Sequence, residues 1–555
     1  MRHQRDLLIT GGPIWSGRAD LPWAEALAVS NGRVAALGSL AQVEGQLGRP
    51  HETLDLHGKA VLPGFQDAHC HPVSGGLQRR SCDLEGRLTP ADCQAAVLAY
   101  LDAHPQAEWI VGGGWSMESF PLGTPPLDLL DAVTGDRPAF LTNRDGHSAW
   151  INSAALKRAQ IHQRTADPPH GRIERDLAGD PQGTLHEAAM KLVERLIPKP
   201  GAEEVTAALV DAQHHLHQLG IVGWQDAMVD PTVERAYSSA VAGGHLTARV
   251  RLALWWERDG GLDQIEGLLQ RRTALRQEGL DGSSVKIMLD GVMETFTASL
   301  LHPYRDPGGS QSSSGRGGHL FLEPEQARQA VMELDRLDFQ VHFHAIGDRA
   351  VRVALDSVQA AREARTRGGG ESPRHHIAHL QLIDRHDLGR FPRLGVVANM
   401  QPFWACHEPQ MDQLTIPFLG VERAARQYPF LSLLNRGTIL AGGSDWPVST
   451  ANPLEEIAVA VTRITPESSR QGQPAYPPFL PEQRIPLVDA LGAFTAGSAY
   501  VNQVEDASGT LAPGKWADLV VLAQDPFQID PDHLPEARVE LTMVAGQVVF
   551  DRGTA

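Results

Sequence analysis

Two histidines one residue apart, His69 and His71, close the apolar run VLPGFQDAHCH at residues 61–71. On a strand, side chains alternate between faces, so both imidazoles project to one side while Cys70 points away. Two imidazoles side by side at a strand end make half of a metal site. Later segments offer partners for them. His344 lies in VHFHAIGD, residues 341–348, and His379 in RHHIAHL, residues 374–380. His342 and His344 share a strand face. His344 is nearer the strand end and the turn Gly347-Asp348, so it is the expected ligand and His342 its support. His375 has the same parity as His379 but stands at the start of its strand, away from the mouth. Asp445 ends the apolar run of LAGGSDWP, residues 440–447, whose glycines let backbone and ion approach closely. A carboxylate there can bind metal and accept a proton from water; its competing role is a helix N-cap. Lys286, in VKIMLDG at residues 285–291, occupies a buried strand. An unpaired buried ammonium is costly, so Lys286 is paired, deprotonated or chemically altered, and a carbamate there could bridge two metals.

These residues need a frame that brings strand ends together. From residue 220 onward short apolar runs alternate with helical stretches: 221–227, 250–256, 285–290, 340–345, 375–380, 395–401 and 439–445. With an opening strand at 61–67 they supply what a (β/α)8 barrel needs, and parallel strands buried on both faces read as continuous apolar runs. The candidate residues fall at strand C-termini, where such barrels carry their chemistry. Residues 1–60 hold strand candidates at 6–10, 26–29, 33–37 and 53–55, and the last residues echo them at 518–522, 541–544 and 548–550. One small β-domain assembled from 1–60 and 500–555 is expected beside a central domain at 61–499. Within the latter, about 75–220 reads as an inserted α+β segment packed over the site. It carries helical runs at 90–104, 185–196 and 203–219, and a glycine-rich loop VGGGWSM at 111–117. The low-complexity stretch PGGSQSSSGRGG, residues 307–318, is either a lid or a passive surface loop.

Composition narrows the function. A net charge of −18 and the lack of a basic cluster argue against nucleic acid as partner. No apolar run approaches the roughly 18 residues of a membrane helix, and the N-terminal apolar patch is too short for a signal peptide. Four cysteines without a CxxC pair read as reduced thiols. A cytoplasmic enzyme of a small molecule is the expectation, with a homodimer as the default assembly.

The matching segments run nearly the length of the chain: LPGFQDAHCH (62–71), DGHSAWINSAAL (145–156), GRIERD (171–176), VKIMLDG, HAIGDRA (344–350), HLQ (379–381), GSDWPV (443–448) and GTLAPGKWADLVVL (509–522). On these the chain resembles the amidohydrolase superfamily, in the YtcJ-like branch that includes N-substituted formamide deformylases and AepA-like regulatory proteins. The resemblance implies a distorted (β/α)8 barrel with a small β-sandwich from both termini, and one or two divalent ions, most often zinc. Position by position, it implies that His69 and His71 hold the more buried ion and His344 and His379 the other. Lys286, as N6-carboxylysine, would bridge them, and Asp445 would be both ligand and base. The chain departs from the pattern at Gln66, at the Val-Met-Glu that follows Asp290-Gly291, and in the Ser/Gly-rich 307–318 stretch.

The expected reaction is hydrolysis of an amide-type C–N bond by a metal-activated water, with Asp445 moving the proton. His147 would donate to the carbonyl oxygen, or else be a surface histidine. Asp290, Trp115, Trp404 and Trp446 flank mouth segments and are expected to line a pocket for a small N-substituted amide or formamide, unless the tryptophans only pack the insertion. Alternatives on the same barrel are cyclic amides, ureas, carbamates or deamination. From another class comes a non-catalytic regulatory homologue.

Overall fold

The computed structural model describes residues 6–47, 51–305, 317–368, 372–466 and 476–553. Eight parallel strands in sequential order form the central sheet: Phe65–Cys70, Ile221–Val229, Arg249–Trp255, Asp281–Met288, Gln340–Ala345, His376–His379, Val397–Met400 and Leu440–Gly442. Their outward apolar side chains, among them Val285, Ile287, Val341, Phe343 and Ile377, join one large core with the surrounding helices. The inward positions are different. Gln225, Arg251, Ser284, Gln340, His342, His376 and Asn399 are buried polar residues. The eighth strand meets the first at a seam where Asp445 N–H donates to His69 O (2.7 Å) and His71 N–H to Trp446 O (2.8 Å). The seam therefore closes the distorted TIM barrel and assembles the candidate ligands in one place.

The opening strand is shorter than expected, because the run 61–67 serves two sheets. Ala60–Pro63 pairs antiparallel with Leu519–Leu522, in a six-stranded sheet that mixes strands from both chain ends. Gly64 N–H then donates to Asp518 O and Phe65 N–H to Gly220 O, both at 3.0 Å, so the handover to the barrel takes two consecutive residues. Both sheets bury the run, so hydrophobicity carries no mark of the break. A second, four-stranded sheet (Asp6–Thr10, Ala26–Ser30, Arg33–Gly38, His51–Asp55) completes the terminal unit around Ile9, Leu27, Val61, Leu511 and Met543.

Between the first and second barrel strands lies a separate six-stranded sheet. Two expectations fail here. Residues 111–115 of the expected loop fall in a strand, Ile110–Trp115; Gly112 is needed because a Cβ there would lie 2.0 Å from Cys82 O on the neighbouring strand. The helix at 185–196 shrinks to Lys191–Glu194, since Pro181–Glu187 pairs antiparallel with both Gly171–Arg175 and Ser148–Ile151. Sheet pairing overrides the helical propensity of Leu185-His-Glu-Ala-Ala. The other two runs are helices, Pro90–Ala103 and Ala202–Gln218. The 307–318 stretch lies outside the described residues except for Gly317 and Gly318. Among the described residues no helix is long and apolar enough to cross a membrane.

Candidate metal centre

Asp445 is the hub of the site. Its Oδ1 lies 3.0 Å from His69 Nε2 and 3.1 Å from His71 Nε2, and its Oδ2 lies 3.8 Å from His379 Nδ1. Among the described residues, His69, His379 and Asp445 form the group whose ligand atoms all fall within 4.8 Å of one another. The backbone works to achieve this. Asp445 and His379 hold left-handed φ values of 57° and 77°, a cost of about 1–3 kcal/mol each that persists only where the surroundings over-determine it. Gly443 is obligatory beside them, since a Cβ there would stand 2.7 Å from His69 Cβ.

The left-handed turn also corrects the expected strand face. In the parallel register His342 faces His376 and His344 faces Ala378, so residues 376 and 378 hold the inward positions. His379 reaches the mouth only because its backbone turns. His375 leaves the barrel and pairs with Asp335 at 2.9 Å, while His376 stacks inside, 4.0 Å from the His342 ring.

The electrostatics suit a cation. Burial is the largest influence on His69, His344 and His379, holding them well below the ordinary histidine range, and the Lys286 charge pushes the same way. Burial thus favours the neutral imidazole, the form that ligates metal. Burial alone would raise Asp445, but the surrounding histidines, His69 foremost, hold it well below the usual carboxylate range. His71 Nδ1 is buried with no hydrogen-bond partner. Lone pairs converging on an ionised carboxylate, with one nitrogen unclaimed, fit a divalent ion. Asp67 braces the floor: its Oδ1 accepts from the His69 and Ser444 N–H groups and its Oδ2 from the Ser444 hydroxyl.

The remaining candidates border this group. His344 lies with its ring 4.4 Å from that of His379, but its Nε2 faces Gly291 O at 3.3 Å. Lys286 is buried, and burial lowers its pKa to about 7 against the pull of Asp445 and Asp226. His147 comes from the insertion, its ring 6.0 Å from that of His344, and its Nδ1 lies 2.9 Å from Glu187 Oε1. Burial opposes its charge, yet Glu187 overcomes this and raises it to about 9. Thr297, on the loop after the fourth barrel strand, donates to the same Glu187 oxygen at 3.0 Å, so the insertion is tied to the mouth at this point.

The sequence pattern described as "Amidohydrolase family" matches residues 52–550. The chain belongs to the amidohydrolase family. It is 32% identical to "Protein LONG AFTER FAR-RED 3" of Arabidopsis thaliana, over 98% of this chain and 91% of that protein. Identity to "Putative amidohydrolase YtcJ" of Bacillus subtilis is 29%, covering 98% of this chain and 99% of that protein. Identity to "N-substituted formamide deformylase" of Arthrobacter pascens is 26%, covering 100% and 99%. The crystal structure of an uncharacterized metal-dependent hydrolase from Pyrococcus horikoshii matches with a TM-score of 0.72 at 24% identity, over 95% of this chain and 99% of that one. The branch read from the motifs is therefore the right one, and this amidohydrolase is a hydrolase of carbon–nitrogen bonds.

Three residues expected in the amidohydrolase's pocket are placed elsewhere. Trp115 is fully buried in the insertion's own core against Phe120 and Trp150, its indole N–H donating to Leu141 O at 2.7 Å. Trp446 is buried and packs on the helix Pro72–Arg79, where a Cβ on Gly75 would meet its ring at 2.4 Å. Asp290 is consumed by backbone: it accepts from Ile346, Gly347 and Ser299 N–H groups at 3.0, 2.9 and 2.8 Å. Such three-fold use makes it a brace between strand ends, not a substrate contact. Trp404 is half-buried with the Arg144 guanidinium 4.8 Å over its ring. Sequence reasoning missed Glu187 and Asp67; Asp67 lies in the DAHCH motif and could have been flagged by its position, whereas nothing local marked Glu187.

Proposed function

We propose that this amidohydrolase cleaves the amide-type C–N bond of a small N-substituted amide or formamide, using one or two divalent ions, with zinc the first candidate. His69, His71, His379 and Asp445 would hold the ion, with His344 and a carboxylated Lys286 completing the site. When bound, such an ion lowers the pKa of a coordinated water toward neutrality and polarises a carbonyl. The observation that carries the reading is the succession of neighbours from Asp445 through His379 and His344 to His147, with the carboxylate held ionised at one end and His147 held cationic at the other.

Asp445 is placed to take the proton of the attacking water and return it to the leaving nitrogen. His147, oriented through Nδ1 by Glu187, has Nε2–H left to donate to the carbonyl oxygen as charge develops there. With a pKa of about 7 the Lys286 amine is substantially uncharged at neutral pH, which is the nucleophilic form that takes up carbon dioxide. The formamide reading is supported by the full-length likeness to the Arthrobacter deformylase. The four buried, unpaired cysteines fit a reducing, cytoplasmic setting.

The test combines metal content with a substrate panel. Protein prepared with zinc and bicarbonate should hold one to two ions per chain, fewer in Lys286→Ala, and should release formate or another acid from N-substituted formamides or amides. A metal-replete protein that turns over only cyclic amides, ureas or aminated rings would overturn the substrate class. Protein that binds no metal would overturn the catalytic reading itself.

A further inference from the structure

The barrel interior beneath the candidate metal centre is filled by amides and imidazoles, and the roles of their hydrogen bonds can be worked out from the groups that have no choice. Gln340 Nε2 donates to two backbone carbonyls, Arg374 O at 3.0 Å and Val501 O at 2.9 Å. Its Oε1 must therefore face the other way, where Arg251 Nε–H, which can only donate, meets it at 3.2 Å. Gln225 reaches the same oxygen at 3.1 Å, and only its amide N–H can do so. That leaves Gln225 Oε1 pointing at His342 Nδ1 (2.6 Å) and His376 Nε2 (3.0 Å), so both of those nitrogens carry protons.

The same assignment comes from the opposite side. The His379 backbone N–H donates to Gln401 Oε1 at 2.6 Å, so Gln401 Nε2 donates to Asn399 Oδ1 at 3.0 Å. Asn399 Nδ2 then donates to Ala68 O at 2.9 Å and to His376 Nδ1 at 3.1 Å. His376 thus accepts at Nδ1 and donates at Nε2, in agreement with the first chain.

The consequence falls on His69. His342 is fully buried with no carboxylate in hydrogen-bond contact, so an imidazolium there would be an uncompensated buried charge. With its one proton on Nδ1, His342 accepts at Nε2, and the group it faces at 2.7 Å is His69 Nδ1. We propose that this one-way chain, from Arg251 through Gln340, Gln225 and His342, fixes His69 as the Nδ1–H tautomer before any metal arrives. His69 Nε2 is left with its lone pair aimed at Asp445 Oδ1, 3.0 Å away. Two lone pairs at that distance are reconciled by a shared cation: a proton in the metal-free protein, or the metal ion that displaces it. His342, Gln225, Gln340 and Arg251 are positioning residues that act through a ligand none but His342 touches.

The test has one arm that needs no metal and one that does. Nitrogen-15 NMR of histidine-labelled, metal-free protein should place the His69 proton on Nδ1, with His69→Asn identifying the signal. Zinc affinity, measured by competition with a chromophoric chelator, should fall on the order of 10–100-fold in His342→Leu. It should stay close to wild type in His342→Gln, whose Oε1 can accept from His69 while its Nε2 donates to Gln225. A His69 Nδ1 that carries no proton in the wild type overturns the proposal, whether or not the variants fold. So does wild-type affinity in His342→Leu, or a loss in His342→Gln equal to that in His342→Leu. The affinity arm rests on the metal reading above. Wild-type protein that takes up no zinc would defeat that reading alone, because the tautomer is still decided by the metal-free spectrum.

Discussion

Replacing Glu187 with glutamine should discharge His147 at neutral pH. The Nδ1 of His147 sits 2.9 Å from the carboxylate, and the pair is almost out of solvent, with 14% and 8% of the two side chains exposed. Burial pushes the imidazole toward its neutral form, and Glu187 reverses that to give a pKa of about 9 against an ordinary 6.5. Without the carboxylate, His147 should titrate at 6.5 or lower. At about 1.4 kcal/mol per pH unit that is on the order of 3 kcal/mol of coupling, the upper range for a hydrogen bond to a charged group. Because the folded-state pKa is raised, the stabilisation by protonated His147 is complete below about 6.5 and is lost as pH rises through about 9. Thermal unfolding of the wild type should weaken across that window, and the Glu187→Gln variant should lack this component. The direct assay is an NMR titration of the His147 ring in metal-free protein. A ring that still titrates near 9 in the variant would refute the reasoning, and would mean that Asp145 and Asp445, the weaker attractions, hold the charge instead.

Two further outcomes separate bracing from binding. Asp290→Asn should lower the melting temperature, with a cost of about 1–3 kcal/mol, because a single amide oxygen must serve the three N–H donors that now share two carboxylate oxygens; an unchanged melting temperature would return Asp290 to the candidate substrate contacts. Trp115→Phe should cost about 1 kcal/mol through the lost bond to Leu141 O and leave KM unaltered. A raised KM at unchanged stability would restore Trp115 to the pocket.

The residue types and local patterns were enough to read the barrel, and they singled out His69, His379 and Asp445, which the fold brings within 4.8 Å of one another. Strand alternation and the placement of reactive groups at strand ends are local properties, so they survive in a single sequence. Tertiary structure decided what depends on contact. Trp115, Trp404 and Trp446 are alike in type and in their nearness to mouth loops, yet one fills the insertion's core, one lies under a guanidinium and one packs on the helix Pro72–Arg79. Asp290 looked like a free carboxylate because the three amides that occupy it come from residues 9 to 57 positions away. His376 takes the inward position and not His375, because the left-handed backbone at His379 and Leu380 breaks the alternation that would otherwise put 375 and 379 on one face. Glu187 is 40 positions from His147 and became its partner only when two antiparallel strands of the insertion came into register. Periodicity tells which face a side chain takes on a regular strand; which partner waits on that face, and where the backbone leaves the period, is settled by the packing of distant segments.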